Sequence, residues 1–226
     1  MGWNDWVRGT EIEPSIYAAD FVRLGDQLET LLGAGARIFQ FDVGDGQFVE
    51  PITIGPVVLK SISPLVHRLG GVLDCHLMIV RPERHFRAIA EAGGDSVTVH
   101  YEACEDLPEV IRQARDLGLG VGVAFNPETE PEDVVAVAGG LVDLVLCMSI
   151  HPGYSGQELM PEAVPRIRRL RELLPAGMHV QVDGGVGPDN VRDLREAGAN
   201  LFVAGTSIFG QQDLAEAYRR LVQALG

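Results

Sequence analysis

Short apolar runs alternate with amphipathic stretches of helical period along nearly the whole chain. The runs predict strands at Ile12–Ser15, Ile38–Asp42, Val72–Met78, Ser96–His100, Gly120–Phe125, Leu144–Met148, His179–Asp183 and Leu201–Ala204. The amphipathic stretches predict helices at Ala19–Leu32, Pro56–Ile62, Pro82–Ala92, Leu107–Leu117, Pro131–Val137, Ala163–Leu174, Pro188–Ala197 and Leu214–Leu225. Several of these helices run into glycine (GAGA, AGG, LGLG, AGA), the residue that ends a helix most readily. The strands are near-continuous in hydrophobicity, as expected of parallel strands buried on both faces. Eight strand–helix units in 226 residues, roughly 28 residues each, suffice for a closed (β/α)8 TIM barrel. No linker interrupts the pattern, so a single domain over residues 1–226 is predicted, with MGWNDWVRG as a short amphipathic lead-in. A doubly wound open sheet is the competing architecture. It would carry a glycine-rich turn after the first strand, where this chain reads PSIYAADF.

In a barrel of this kind the loops after the strands form one face, and chemistry collects there. Reading those positions in order gives Ser15, Gln40 and Asp42, His76 and Met78, His100 and Glu102, Asn126, Met148 and Ser149, Asp183, and Gly205 to Ser207. Asp42 and Asp183 end the second and seventh strands, about opposite each other in a ring of eight. An acid at the exit of a buried strand is expensive to desolvate unless it has a partner or a task. Asp45, in the turn after Asp42, has the ordinary alternative of capping that turn. Two carboxylates facing across a pocket can remove a proton from one face of a carbon and return one to the other, which inverts a stereocentre beside a carbonyl. The enediolate between those steps needs electrostatic help, usually a cation, and His76 lies between the two acids as a candidate ligand. His100 and Glu102 read as supporting residues, and His67, His85 and His179 as structural or surface.

The formal charge is −14, which argues against nucleic acid or an anionic membrane as partner and leaves an anionic substrate in need of a local positive field. Three loops answer that need: HPGYSGQ (His151–Gln157), DGGVGPDN (Asp183–Asn190) and VAGTSIFG (Val203–Gly210), after the last three strands. Backbone N–H groups at glycines and helix starts hold phosphate without lysine or arginine. Lys60 is the only lysine and falls in a helical pattern, which disfavours imine chemistry. Cys75, Cys104 and Cys147 lack metal or redox spacing, and no apolar run spans a bilayer and no secretory leader is read. A cytoplasmic protein is the expectation.

The segments PSIYAADF, DVGDGQFVEPITIGP, DCHLM, VTVHYEA, GVAFNPET, MSIHPGYSGQ, VDGGV and VAGTSIF resemble, in order and spacing, the motifs of ribulose-phosphate 3-epimerases, from about Glu13 to Phe209. That resemblance implies a (β/α)8 barrel of the pentose phosphate pathway that interconverts ribulose 5-phosphate and xylulose 5-phosphate. It implies a divalent metal (Zn, Mn, Fe or Mg) and acid–base roles for Asp42 and Asp183, with His76 ligating the metal beside both. It further implies substrate contacts from Ser15 and His76, a pocket floor of Met78 and Met148, and a phosphate grip from Gly153, Ser155, Gly156, Gly184, Gly185, Gly205, Thr206 and Ser207.

The chain departs from the family pattern at four places. Gln40 stands where the family has a metal-ligating histidine; it either offers an amide oxygen as fourth ligand, a harder and weaker donor for zinc, or points its NH2 at a carboxylate and leaves no closed shell. Gly44 stands where the family has methionine, and is expected to remove bulk from the pocket. FVEP and HPGYSG replace FVPN and NPGFGG. The leading expectation is therefore a ketose-phosphate 3-epimerase with an altered metal shell. The alternatives are a sugar-phosphate-binding barrel that is catalytically impaired or acts on a different phosphosugar, and a phosphosugar isomerase or lyase on the same fold. Subunit number is open, with a homo-oligomer possible.

Overall fold

The computed structural model describes residues 2–226. Its strands are β1 (Glu11–Pro14), β2 (Ile38–Gly44), β3 (Val72–Met78), β4 (Ser96–His100), β5 (Gly120–Phe125), β6 (Leu144–Met148), β7 (His179–Asp183) and β8 (Leu201–Ala204). All are parallel and pair in the order β1-β8-β7-β6-β5-β4-β3-β2. One parallel bridge, Ser15 to Gln40, closes β1 against β2 and turns the sheet into a barrel. The helices outside it are α1 (Leu24–Ala34), α2 (Pro56–Arg68), α3 (Phe86–Glu91), α4 (Leu107–Asp116), α5 (Pro131–Ala138), α6 (Ala163–Leu173), α7 (Val191–Glu196) and α8 (Leu214–Leu225). The protein is a (β/α)8 barrel, and no helix among the described residues is long and apolar enough to cross a membrane.

Some helix boundaries differ from the sequence expectation, each for a local reason. The helix expected from Ala19 starts at Leu24. Two 3-10 turns, Ile16–Ala18 and Phe21–Arg23, precede it, and the Asp20 carboxylate accepts from Val22 N–H at 3.0 Å. The helix expected to stop at Ile62 continues through Pro64 to Arg68, because Leu59, Ile62 and Val66 form one buried face. The seventh helix starts at Val191, three residues late. Asn190 holds the preceding loop, accepting from Gly187 N–H and donating to Gly185 C=O.

The main core lies between strands and helices and is largely apolar, with Gln27 and Ser63 among its few buried polar side chains. The inside of the barrel is divided. One side is apolar, with Ile38, Ala124, Leu144, Leu146, Met148 and Leu201. The lead-in forms a helical turn, Trp3–Trp6, whose two tryptophans plug the N-terminal mouth, their rings edge to face with centroids 5.4 Å apart. Gly120 makes room for this plug, since a Cβ there would sit 3.0 Å from Trp3 Nε1. The other side is polar. Register pairs Gln40 with Asp74 and Asp42 with His76, and alternation along the strands turns all four side chains inward.

Candidate active site

β2 and β7 deliver Asp42 and Asp183 to the C-terminal mouth, and β3 brings His76 beneath them. One ligating atom from each of these three residues lies within 4.8 Å of the others. Asp42 is almost fully buried and accepts from two neighbours, Ser15 Oγ at 2.6 Å and Gln40 Nε2 at 2.8 Å. The same Gln40 nitrogen donates to Asp183 Oδ2 at 2.7 Å, so one amide ties the two carboxylates together. His76 Nδ1 lies 3.0 Å from Asp42 Oδ1 and 3.6 Å from Asp183 Oδ2. Its Nε2 meets His100 Nε2 at 2.9 Å, and His100 Nδ1 lies 3.4 Å from Glu102 Oε2. Glu102 is anchored in turn by Asn126 N–H and the Thr129 hydroxyl.

The electrostatics follow from this packing. Burial, then the charge of Asp42, pushes the Asp183 carboxyl up to about 7, against the opposing pull of His76 and Gln40. Burial works against a charged His76. The hydrogen bond and charge of Asp42 outweigh it, with Asp183 and Asp74 adding to them, so its pKa is raised. Burial lowers His100 to about 4, and the neighbouring His76 adds to the fall. These opposite shifts favour Nε2–H of His76 as the donor to His100.

Two cavities open from this centre. The narrow one, about 40 Å³, is lined by Asp42 and Asp183 together with Ser15, Tyr17, Met78, Met148, Gly153 and Ser155. It is covered by the loop after β6, where Tyr154 donates to Glu50 of the loop after β2 at 3.0 Å. The wider one, about 510 Å³, is lined by Ser155, Gly156, Gly184, Gly185, Gly205, Thr206 and Ser207, and by no lysine or arginine. Gly184 and Gly185 have φ of 120° and 66°. A Cβ on Gly185 would fall 2.4 Å from Leu159 N, so glycine is required for this close approach of backbones. The Ser207 hydroxyl is buried without a partner in the same wall.

Two expectations change on this geometry, and one open choice is decided. His76 is fully buried behind the carboxylates and lines neither cavity, so it reaches a pocket occupant only through Asp42 and Asp183. Gly44 opens no space, because Pro51, Val49 and Thr53 fold over it, with Pro51 O 2.8 Å from where a Cβ would be. Of the two orientations open to the Gln40 amide, the structure has the one that turns the nitrogen to the carboxylates, and Oε1 is buried without a partner. Asp45 takes the turn-capping role: it accepts from Gln47, Phe48 and Val80 N–H, each at 2.8 Å, and joins the loops after β2 and β3. Lys60 is exposed on α2, and Cys75 and Cys147 are buried free thiols. The sequence reading missed Tyr17, which lines the narrow cavity. Its one signal was its place directly after the first strand.

The donor set fits a divalent cation: two carboxylates and an imidazole converge, and His76 keeps Nε2–H on His100, the outer support a ligating histidine needs. Turning the Gln40 amide end for end would give Oε1 to the same point and remove its orphaned state.

A closed parallel barrel that gathers paired acids, a buried histidine and a glycine-lined cavity at its C-terminal mouth has the arrangement of a barrel enzyme. The profile of the ribulose-phosphate 3 epimerase family matches residues 11–209. The chain belongs to that family and is an epimerase. A ribulose-phosphate 3-epimerase of Synechocystis sp. is 42% identical over 211 residues, covering 91% of this chain and 90% of the relative. One of Escherichia coli is 35% identical over 217 residues, covering 95% and 93%. Among solved structures, a 3-hexulose-6-phosphate synthase superposes with a TM-score of 0.72 at 18% identity over 96% of this chain and all of that one, a likeness of fold alone.

Proposed function

We propose that the protein interconverts ribulose 5-phosphate and xylulose 5-phosphate by moving a proton between Asp42 and Asp183 across C3. The observation that carries this reading is that both carboxylates line one narrow pocket beside a glycine cradle, with burial and the charge of Asp42 pushing Asp183 up to about 7. A base and an acid must exchange roles in the two directions, and a carboxyl close to 7 can do both. In one direction Asp42 takes the C3 proton from one face and Asp183 returns a proton to the other, through an enediolate. Ser15 and Gln40 hold Asp42 aimed at the carbon. Met78 and Met148 form the apolar floor, and the loop around Gly153 and Ser155 excludes water.

The phosphate lies in the wider cavity against backbone N–H groups of Gly156, Gly184, Gly185 and Gly205, with the Thr206 and Ser207 hydroxyls beside it. Asp42, His76 and Asp183, with Gln40 Oε1 after rotation, would hold a divalent ion. When bound, that ion supplies positive charge to the oxygens that become the enediolate. Oxygen-rich ligation shifts the preference from zinc toward manganese, iron or magnesium.

The Gln40 bridge also supports a second reading, a barrel that binds the sugar phosphate with its carboxylates locked. Deuterium incorporation at C3 separates the two. Turnover in D2O places solvent deuterium at C3 of the product. Binding of ribulose 5-phosphate with no exchange at C3 would leave only the second reading.

A further inference from the structure

Beneath the reaction centre the barrel carries a second set of polar side chains. Glu13 on β1, Asp74 on β3 and Gln181 on β7 are each at most 1% exposed, at a level where barrel interiors usually hold branched apolar residues. Gln181 Nε2 donates to Glu13 Oε2 at 2.7 Å and lies 3.4 Å from Asp74 Oδ2. Asp74 Oδ1 accepts from Ser96 Oγ at 2.6 Å, and Thr98 Oγ1 lies 3.2 Å away. One amide again spans two carboxyl groups, as Gln40 does above.

Two oxygens in this set have no donor: Glu13 Oε1 and Gln181 Oε1, both buried. They belong to the same two side chains that already share an N–H···O bond. A carboxylic acid and a primary amide pair through a ring of two bonds, amide N–H to acid C=O and acid O–H to amide C=O. A single proton on Glu13 Oε1 therefore satisfies both orphaned atoms, and the second amide N–H stays directed at Asp74.

We infer that Glu13 is an undissociated acid joined to the Gln181 amide by two hydrogen bonds, and that this pair is a positioning element for the reaction centre above it. The positioning half rests on the epimerase reading. Two residues beyond Glu13, just past the end of β1, is Ser15, which donates to Asp42, and two residues beyond Gln181 on β7 is Asp183. β1 and β7 do not pair with each other; both ladder onto β8, where Glu11 and Gln181 share Leu201 and Glu13 and Asp183 share Val203. The side-chain pair adds a direct tie between β1 and β7 across the inner face of β8.

The surroundings favour the neutral form. Burial foremost, then the charge of Asp74, raises the Glu13 pKa well above the ordinary carboxylate range against the lowering pull of the Gln181 N–H, with Glu11 and Asp183 adding to the rise. β2 presents Asp42 and the uncharged Gln40, and β8 presents only Leu201, Phe202, Val203 and Ala204. From α8 comes Tyr218, whose phenol burial pushes up to about 12.

The test compares wild type with Glu13→Gln and Glu13→Met. In infrared difference spectra at pH 8, wild type shows the C=O stretch of an undissociated carboxyl that Glu13→Gln lacks. Unfolding at pH 7 releases about one proton more from wild type than from Glu13→Gln, because the freed side chain ionises. Glu13→Gln restores both bonds as an amide–amide ring and turns over at the wild-type rate. Glu13→Met keeps the length without the bonds and lowers kcat by roughly tenfold with KM nearly unchanged. No carboxyl band and no extra proton would overturn the undissociated acid. An unchanged kcat in Glu13→Met, or a Glu13→Gln as slow as Glu13→Met, would overturn the positioning role. The spectral and proton-release measurements need no turnover, so they stand even where Glu13→Met fails to fold. A protein inactive on ribulose 5-phosphate would sink the catalytic reading without touching them.

Discussion

Replacing Gln40 with histidine should raise zinc affinity sharply. In the present site the Gln40 nitrogen makes bonds of 2.8 and 2.7 Å to Asp42 and Asp183, the two carboxylates an ion would need. Hydrogen bonds to charged groups are each worth about 1.5–3 kcal/mol. An ion entering between the acids must break both and turn the amide, a loss of about 3–6 kcal/mol at most, because the freed N–H groups recover part of it elsewhere. At 1.4 kcal/mol per tenfold this corresponds to roughly two to four orders of magnitude in Kd. Imidazole at position 40 makes no such bridge and is the better zinc donor. Competition against a chromophoric chelator at fixed pH, on both proteins stripped of metal, measures the ratio directly. Equal affinities, or stoichiometric zinc retained by the unaltered protein through purification, would refute this account of Gln40.

Asp42→Asn should lower kcat by a factor of at least about a hundred while ribulose 5-phosphate still binds, as calorimetry would register. Gly185→Ala forces a Cβ to 2.4 Å from Leu159 N at a φ of 66°, so it should lower the melting temperature and raise KM for the phosphorylated substrate. Asp183 is raised from its ordinary value to about 7, so its folded state favours the proton. Its stabilising contribution is whole below about pH 4 and is lost as pH rises toward 7. The melting temperature of the metal-free protein should fall over that window, and less steeply in Asp183→Asn. Tyr154→Phe removes the 3.0 Å bond to Glu50 that joins the two covering loops, and faster product release seen by stopped flow is the expected result.

The strands from β3 to β8 begin and end where their apolar runs do, because burial on both faces leaves no room for another pattern. Asp42, His76 and Asp183 were legible for the opposite reason, as titratable residues at the ends of such runs. The direction of the Gln40 amide was not legible, since it depends on a carboxylate 143 residues away. The filling of the space at Gly44 was hidden in the same way, because Val49, Pro51 and Thr53 fold back over it. Glu13 and Gln181 did leave a trace, charged or polar letters inside IEPS and VQVD. Their pairing across β8 needs the barrel's curvature, which no local pattern carries.

Seven strand boundaries of the barrel are full ladders, and the eighth is the lone Ser15–Gln40 bridge. The cylinder is therefore fastened least where its chemistry sits. Both residues of that bridge also hold Asp42, so breathing of the seam and disorder of this carboxylate are one event. Whatever occupies the mouth acts as a rivet across the joint. Slowed amide exchange in β1 and β2 would report occupancy from the far side of the wall.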